Sequence, residues 1–80
     1  MKLLLLSPTK VVFDGEVESV TIPGTQGSFT VWENHAALIS TIERGLVSCR
    51  GVDGEISFEV DGGFVEVRNN EVSICVEKLL

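Results

Sequence analysis

His35 is the only histidine in this 80-residue chain, and side-chain chemistry here would most readily begin with it. An imidazole works as a general base when a carboxylate orients it. It works as a zinc ligand when Cys, Asp or a second His stands at ligand spacing. In Trp32-Glu33-Asn34-His35-Ala36-Ala37-Leu38 the one acid nearby is Glu33, two residues back and on the same side of an extended strand. A single carboxylate beside a single imidazole is neither a catalytic set nor a metal cage. Gly24-Thr25-Gln26-Gly27 has glycines that could cradle a phosphate, but proline precedes it and neither lysine nor a helix follows. It reads as a turn. Glu55, Glu59 and Asp61 alternate with apolar residues and read as a solvated strand face. There is no nucleophile elbow, P-loop or dinucleotide fingerprint. The expectation is no catalytic residue, no cofactor and no metal, with His35 as a loop residue that makes contacts.

Short strands must position these residues. Leu3 to Leu6 is an apolar run bounded by Ser7-Pro8, as in a buried strand. Val11-Val12-Phe13 follows and is expected to close at the turn dipeptide Asp14-Gly15. From Glu16 to Ile22 the apolar parity swaps, which predicts a bulge between Val17 and Val20. Pro23-Gly24 is expected to end that strand, and Ser28 to Trp32 forms the next, with Phe29 and Val31 on one face. At most one helical turn fits, around Asn34 to Leu38.

The second half alternates more regularly. Val47 and Cys49 oppose Ser48 and Arg50, and Gly51 to Gly54 is a turn. Ile56, Phe58 and Val60 then oppose Glu55, Ser57 and Glu59 before Gly62-Gly63 breaks the strand. Val65 and Val67 lead to Asn69-Asn70, a tight hairpin, and Val72, Ile74 and Val76 complete the pattern. Seven or more short strands at this spacing predict one all-β domain over residues 1–80, a sandwich or barrel.

Composition narrows the partners. Twelve acids against six bases leave a net charge of −6, and the six bases are scattered, which argues against nucleic acid and anionic lipid. A cationic protein surface is the favoured partner class. A chain of this size buries only roughly 60–65% of its unfolded surface, so a partner would add to a modest core. The start Met1-Lys2-Leu3-Leu4-Leu5-Leu6 mimics a secretory leader, but the apolar run is too short and no cleavage site follows. Cys49 and Cys75 lack CxxC spacing and are expected as reduced thiols, with one disulfide as the alternative.

Five motifs occur in a telling order. Phe13-Asp14-Gly15-Glu16-Val17 matches Phe-x-Gly-x-Val, and Pro23-Gly24-Thr25-Gln26-Gly27 matches Pro-Gly-x-x-Gly. Trp32-Glu33-Asn34-His35-Ala36-Ala37-Leu38 stands where a Leu-Pro-Gly-His-Ala-Pro-Leu segment would be. Gly45-Leu46-Val47 and Gly62-Gly63-Phe64-Val65-Glu66-Val67 complete the series. Together they resemble the amino-terminal domain of the epsilon subunit of the rotary F-type ATP synthase. The resemblance departs at Trp-Glu-Asn for Leu-Pro-Gly and at Ala37 for proline. It does not extend to the family's two carboxy-terminal helices, since the chain stops just after the last strand.

The resemblance implies a flattened β-sandwich of about eight to ten short, mostly antiparallel strands. It implies a non-catalytic central-stalk subunit that couples proton-driven rotation of the c-ring to ATP synthesis. Ser7, His35, Leu38 and Ser40 would then contact the gamma subunit, and Gln26, Gly27 and Ser28 the c-ring. The subunit would lie on the cytoplasmic side of the bacterial plasma membrane, or an equivalent energy-transducing membrane, touching it only through the ring. The competing expectations are a lipoyl- or biotinyl-type carrier domain and a small β-sandwich adaptor. A carrier needs a lysine at a hairpin tip, and Asn69-Asn70 has none.

Overall fold

The computed structural model describes every residue, Met1–Leu80. It contains nine strands and no helix: β1 (Lys2–Leu6), β2 (Val11–Glu16), β3 (Ser19–Gly24), β4 (Gly27–Trp32), β5 (Leu38–Ile42), β6 (Gly45–Gly51), β7 (Gly54–Val60), β8 (Gly63–Arg68) and β9 (Glu71–Val76). They form one curled sheet in the order β2-β1-β9-β8-β5-β3-β6-β7, with β4 on the other edge of β3. Every pair is antiparallel except β1 with β9. The hinge of the curl is β3. It pairs with β4 along its length, with β6 through Ser19–Thr21 and with β5 only at Gly24–Ile42. The result is a flattened body of 26 × 26 × 18 Å. The end strands β2 and β7 meet across a seam without pairing, where the Phe13 and Phe58 rings pack edge to face at 6.0 Å.

Alternation explains the core. Leu3 and Leu5 of β1, Val72 and Ile74 of β9, and Val65 and Val67 of β8 share the inner face and are buried. Val20, Ile22, Val31, Val47 and Val60 come from the opposite wall. Complete burial of each such side chain is worth about 1.5–3 kcal/mol, and β-branched valine suits a pleated surface. Leu4 and Leu6 take the other parity and are half-buried, so the leucine run is one strand with two unequal faces.

Four local expectations need correction. Asp14-Gly15 is not a turn: β2 continues through it, pairing Asp14 with Leu4 and Gly15 with Leu3. The ladder to β1 outweighs the dipeptide's turn preference. No bulge lies between Val17 and Val20; β2 ends at Glu16, Val17 and Glu18 round a corner, and β3 starts afresh at Ser19. A new strand resets the parity as effectively as an inserted residue would. The register does shift between Leu5 and Leu6 of β1. Pro23-Gly24 belongs to β3, and the turn is Thr25-Gln26. Asn34 to Leu38 forms no helical turn, because Asn34 takes a φ of 62°.

Two turns behave as their residues demand. Asn69 and Asn70 have φ of 53° and 60°, the two positive values of a type I′ hairpin between Arg68 and Glu71. Gly63 opens β8 at φ 148°, so close to β9 that a Cβ would overlap the Cys75 carbonyl.

Candidate functional site

The register sorts the loops between two ends of the sandwich. The turns at residues 7–10 and 25–26 and at Asp61-Gly62 lie at one end, with Thr41 and Ile42. Met1, Glu33 to Ala36, Val52-Asp53 and Asn69-Asn70 lie at the other. Ser7 and His35 therefore stand at opposite ends, and Ser7, at the end of β1, is separated by β9 and β8 from the other three expected gamma contacts, which follow β5 and the loop before it. Ser7 closes its own turn, its amide donating to the Lys10 carbonyl at 3.0 Å.

The His35 loop is held from two sides. The His35 amide donates to the Trp32 carbonyl at 3.2 Å, and with Asn34 at positive φ this is a type II turn. Asparagine tolerates that conformation, so Asn34 fulfils the part of the glycine in Leu-Pro-Gly-His. The Asn34 amide also donates to Asn70 Oδ1 at 2.8 Å, which fastens the loop to the β8–β9 hairpin. His35 Nδ1 lies 2.8 Å from the Ala36 carbonyl, which can only accept. Nδ1 therefore carries a proton and Nε2 is left for any further partner.

Glu33 does not serve His35. Its carboxylate reaches the Met1 ammonium at 3.3 Å, and Glu16 reaches the same ammonium at 3.1 Å. The Glu16 bond is the main reason the ammonium's pKa is raised, with Glu33 adding and desolvation opposing. No three His, Cys, Asp or Glu side chains gather as a metal site. Cys49 and Cys75 are both free; Cys49 is buried, and burial pushes its thiol pKa up.

Leu38 and Ser40 sit on β5 opposite Val67 and Val65, which puts them on the core-facing parity and half-buried. Ile39 and Thr41 point outward instead, and Ile39 is 76% exposed. On the same outer face Phe64 and Val11 are exposed beside half-buried Leu4 and Leu6. Sequence reasoning missed this strip because in Leu38-Ile39 both parities are apolar. The parity that buries Val65 and Val67 already turns Phe64 outward, but no local window shows that it joins Ile39 and Val11 on one face.

At the far end Gln26, Gly27 and Ser28 project together and are exposed. The hairpin that carries them is clamped to β5. The Thr25 amide donates to the Thr41 carbonyl at 3.1 Å, and the two hydroxyls lie 2.6 Å apart. Behind it, Thr30, Thr21, Ser48 and Ser57 form a row across β4, β3, β6 and β7, with hydroxyl pairs at 2.9 Å. Trp32 and Leu46 are exposed on this same outer face, so it combines mutually satisfied hydroxyls with two isolated apolar side chains.

Residues 1–80 match the family model described as "ATP synthase, Delta/Epsilon chain, beta-sandwich domain". The chain belongs to this family. An ATP synthase epsilon chain of Chlorobium limicola is 39% identical over 77 residues, covering 95% of this chain and 88% of that protein. The epsilon chain of Leptospira interrogans (strain Fiocruz L1-130) is 36% identical over 77 residues, covering 96% of this chain. This domain spans 61% of that relative's length. Among solved structures, a chain of the Tetrahymena thermophila mitochondrial ATP synthase central stalk/c-ring superposes with a TM-score of 0.81 at 25% identity. That match covers 99% of this chain and 64% of the other. A chain in the Euglena gracilis mitochondrial ATP synthase OSCP/F1/c-ring shares the fold, with a TM-score of 0.90 at 21% identity over 98% of this chain. Within the delta/epsilon family the single all-β body is the beta-sandwich domain, and its nine strands agree with the eight to ten expected.

Proposed function

We propose that this chain is a rotor element of an F-type ATP synthase, seated between the gamma subunit and the c-ring. It catalyses nothing itself; it transmits torque, and ATP synthesis takes place on other subunits. The supporting observation is the match over all 80 residues to the family's sandwich domain, joined by its likeness to a chain in a central stalk/c-ring assembly. A hydrogen-bonded sheet suits the task, because seven laddered strand pairs resist shear along the body.

Ser7, His35, Leu38 and Ser40 bind gamma in this account, and Ile39 joins them as the outward side chain of β5. Gln26, Gly27 and Ser28 rest on the polar loops of the c-ring. Ser28 has no charge to offer there, and an exposed ion pair would add only about 0–1 kcal/mol. The clamp from Thr25 to Thr41 gives this tip its stiffness. The complex holds the chain at the cytoplasmic face of an energy-transducing membrane, in contact with lipid only through the ring.

His35→Ala combined with Ile39→Glu should weaken binding to purified gamma at least tenfold and leave the circular dichroism unchanged. Gln26→Pro should weaken binding to detergent-solubilised c-ring and spare gamma. Undiminished gamma binding by the first variant would refute the assignment of that surface.

A further inference from the structure

We infer that Thr25 and Thr41 are positioning residues whose paired hydroxyls fix the angle between the β3–β4 hairpin and β5, and so the aim of the Gln26–Ser28 tip relative to Ile39 and Ser40. The inference rests on the rotor reading for its partners, gamma and the c-ring, and on the chain's own geometry for the device. Little holds the hairpin on its edge away from β4. There β3 pairs with β6 only through Ser19–Thr21. Beyond that it meets the end of β5 at the single pair Gly24–Ile42. Two backbone bonds flank this pair. The Thr25 amide donates to the Thr41 carbonyl at 3.1 Å, and the Glu43 amide to the Pro23 carbonyl at 2.9 Å.

Ladder bonds of this kind lie in the plane of the sheet, one behind the other along the strand. Alone they make a hinge line about which the hairpin can rock. The Thr25 and Thr41 hydroxyls lie 2.6 Å apart and stand off that line, on the outer side to which Thr41 points. Three points out of line fix an orientation that two leave free. The Pro23 ring adds a stop against Gly45, where a Cβ would come within 3.1 Å of it. The Thr41 carbonyl also joins the two surfaces directly. It accepts the Thr25 amide from the tip and, at 3.0 Å, the Ser40 hydroxyl from β5. A carbonyl oxygen has two lone pairs, and here each has a donor.

The consequence is one of bivalent binding. A chain held by gamma along β5 and by the ring at the tip engages both without further ordering only if the two surfaces are already aligned. Either partner alone can select its own hairpin angle. The two together cannot.

The test compares binding to gamma alone, to detergent-solubilised c-ring alone, and to the joined gamma–c-ring assembly stripped of this chain. Thr41→Val removes the hydroxyl and keeps the β-branched shape. It should leave both separate affinities within about twofold and weaken binding to the joined assembly about fivefold, the scale of one hydrogen bond. Thr41→Ser restores a hydroxyl and should recover most of the loss. Thr25→Val should match Thr41→Val, and the double variant should be no worse than either, because all remove the same bond. Equal losses for the three targets would show a direct contact or a general structural effect and overturn the inference. So would unweakened binding of the joined assembly by Thr41→Val, or additive losses in the double variant. An unsubstituted chain that ignores both gamma and the ring would refute the rotor reading instead. The device is then judged in the free chain, where Thr41→Val should speed amide exchange at Thr25 and Glu43 at least tenfold and spare the ladder of β3 with β6. Unchanged exchange at those two amides overturns it whatever the partners do.

Discussion

Replacing Gly63 by alanine separates two costs that are usually confounded. Both Gly63 and Gly54 have positive φ, 148° and 116°, in a region that residues with a Cβ rarely enter. At Gly54 a Cβ meets nothing within 4 Å. At Gly63 it overlaps the Cys75 carbonyl and comes within 2.9 Å of Val76 Cα. Those are backbone atoms of β9, and β9 is fixed between β1 and β8. Gly54→Ala should therefore cost only backbone strain, about 1–3 kcal/mol. Gly63→Ala adds a collision that must move a central strand, roughly another 1–3 kcal/mol by analogy with overpacked cores. A domain this small has roughly 4–12 kcal/mol of stability in total, so the second variant sits near the threshold of folding. Urea titration followed by circular dichroism measures both, and each kcal/mol should lower Tm by about 4–8 °C. If Gly63→Ala proves no worse than Gly54→Ala, the close packing of β8 on β9 has been misjudged.

The remaining predictions concern single groups. Asn70→Gly keeps the hairpin's backbone but removes the acceptor of the Asn34 amide, so it should cost about 0.5–1.5 kcal/mol and speed amide exchange at Asn34. In the folded chain a thiol reagent should modify half-buried Cys75 well before Cys49, which should react only on unfolding. Equal rates would contradict the burial of Cys49. Stability should fall on the alkaline side. The Met1 ammonium is raised above its ordinary 8.0, so its contribution is complete below about pH 8 and lost as pH rises through the higher folded value. The Cys49 thiol is raised above 9.0 by burial, so above pH 9 the unfolded chain ionises first and gains. A urea midpoint that rises between pH 7 and pH 10 would contradict both signs.

What could be read from the sequence depended on whether local pattern or distant partners decided the outcome. The strands from Val47 to Val76 alternate, apart from the apolar runs Phe64-Val65 and Ile74-Cys75-Val76, and their turns contain Gly51, Gly54, Gly62-Gly63 and Asn69-Asn70. Local chemistry settles such segments, and the structure agrees with them. Asp14-Gly15 misled because its pairing with Leu3 and Leu4 depends on β1, which a local window cannot weigh. The corner at Val17 and the bulge expected there alter parity alike, so parity alone could not separate them. The parallel pairing of β1 with β9 joins the two ends of the chain and left no local trace. The candidate site could be read only as a set of motifs. Its layout could not be read, since the outward strip of Ile39, Phe64 and Val11 is assembled from three separate strands.

The central claim is that this sandwich turns with a rotor, gripped by gamma and seated on the c-ring. Its most direct test is to tag the chain in its native host, solubilise membranes in mild detergent, and quantify what co-purifies. The account predicts gamma and c-ring subunits in fixed proportion to the tagged chain. Recovery of the chain without them, from membranes whose ATP synthase remains intact, would contradict it.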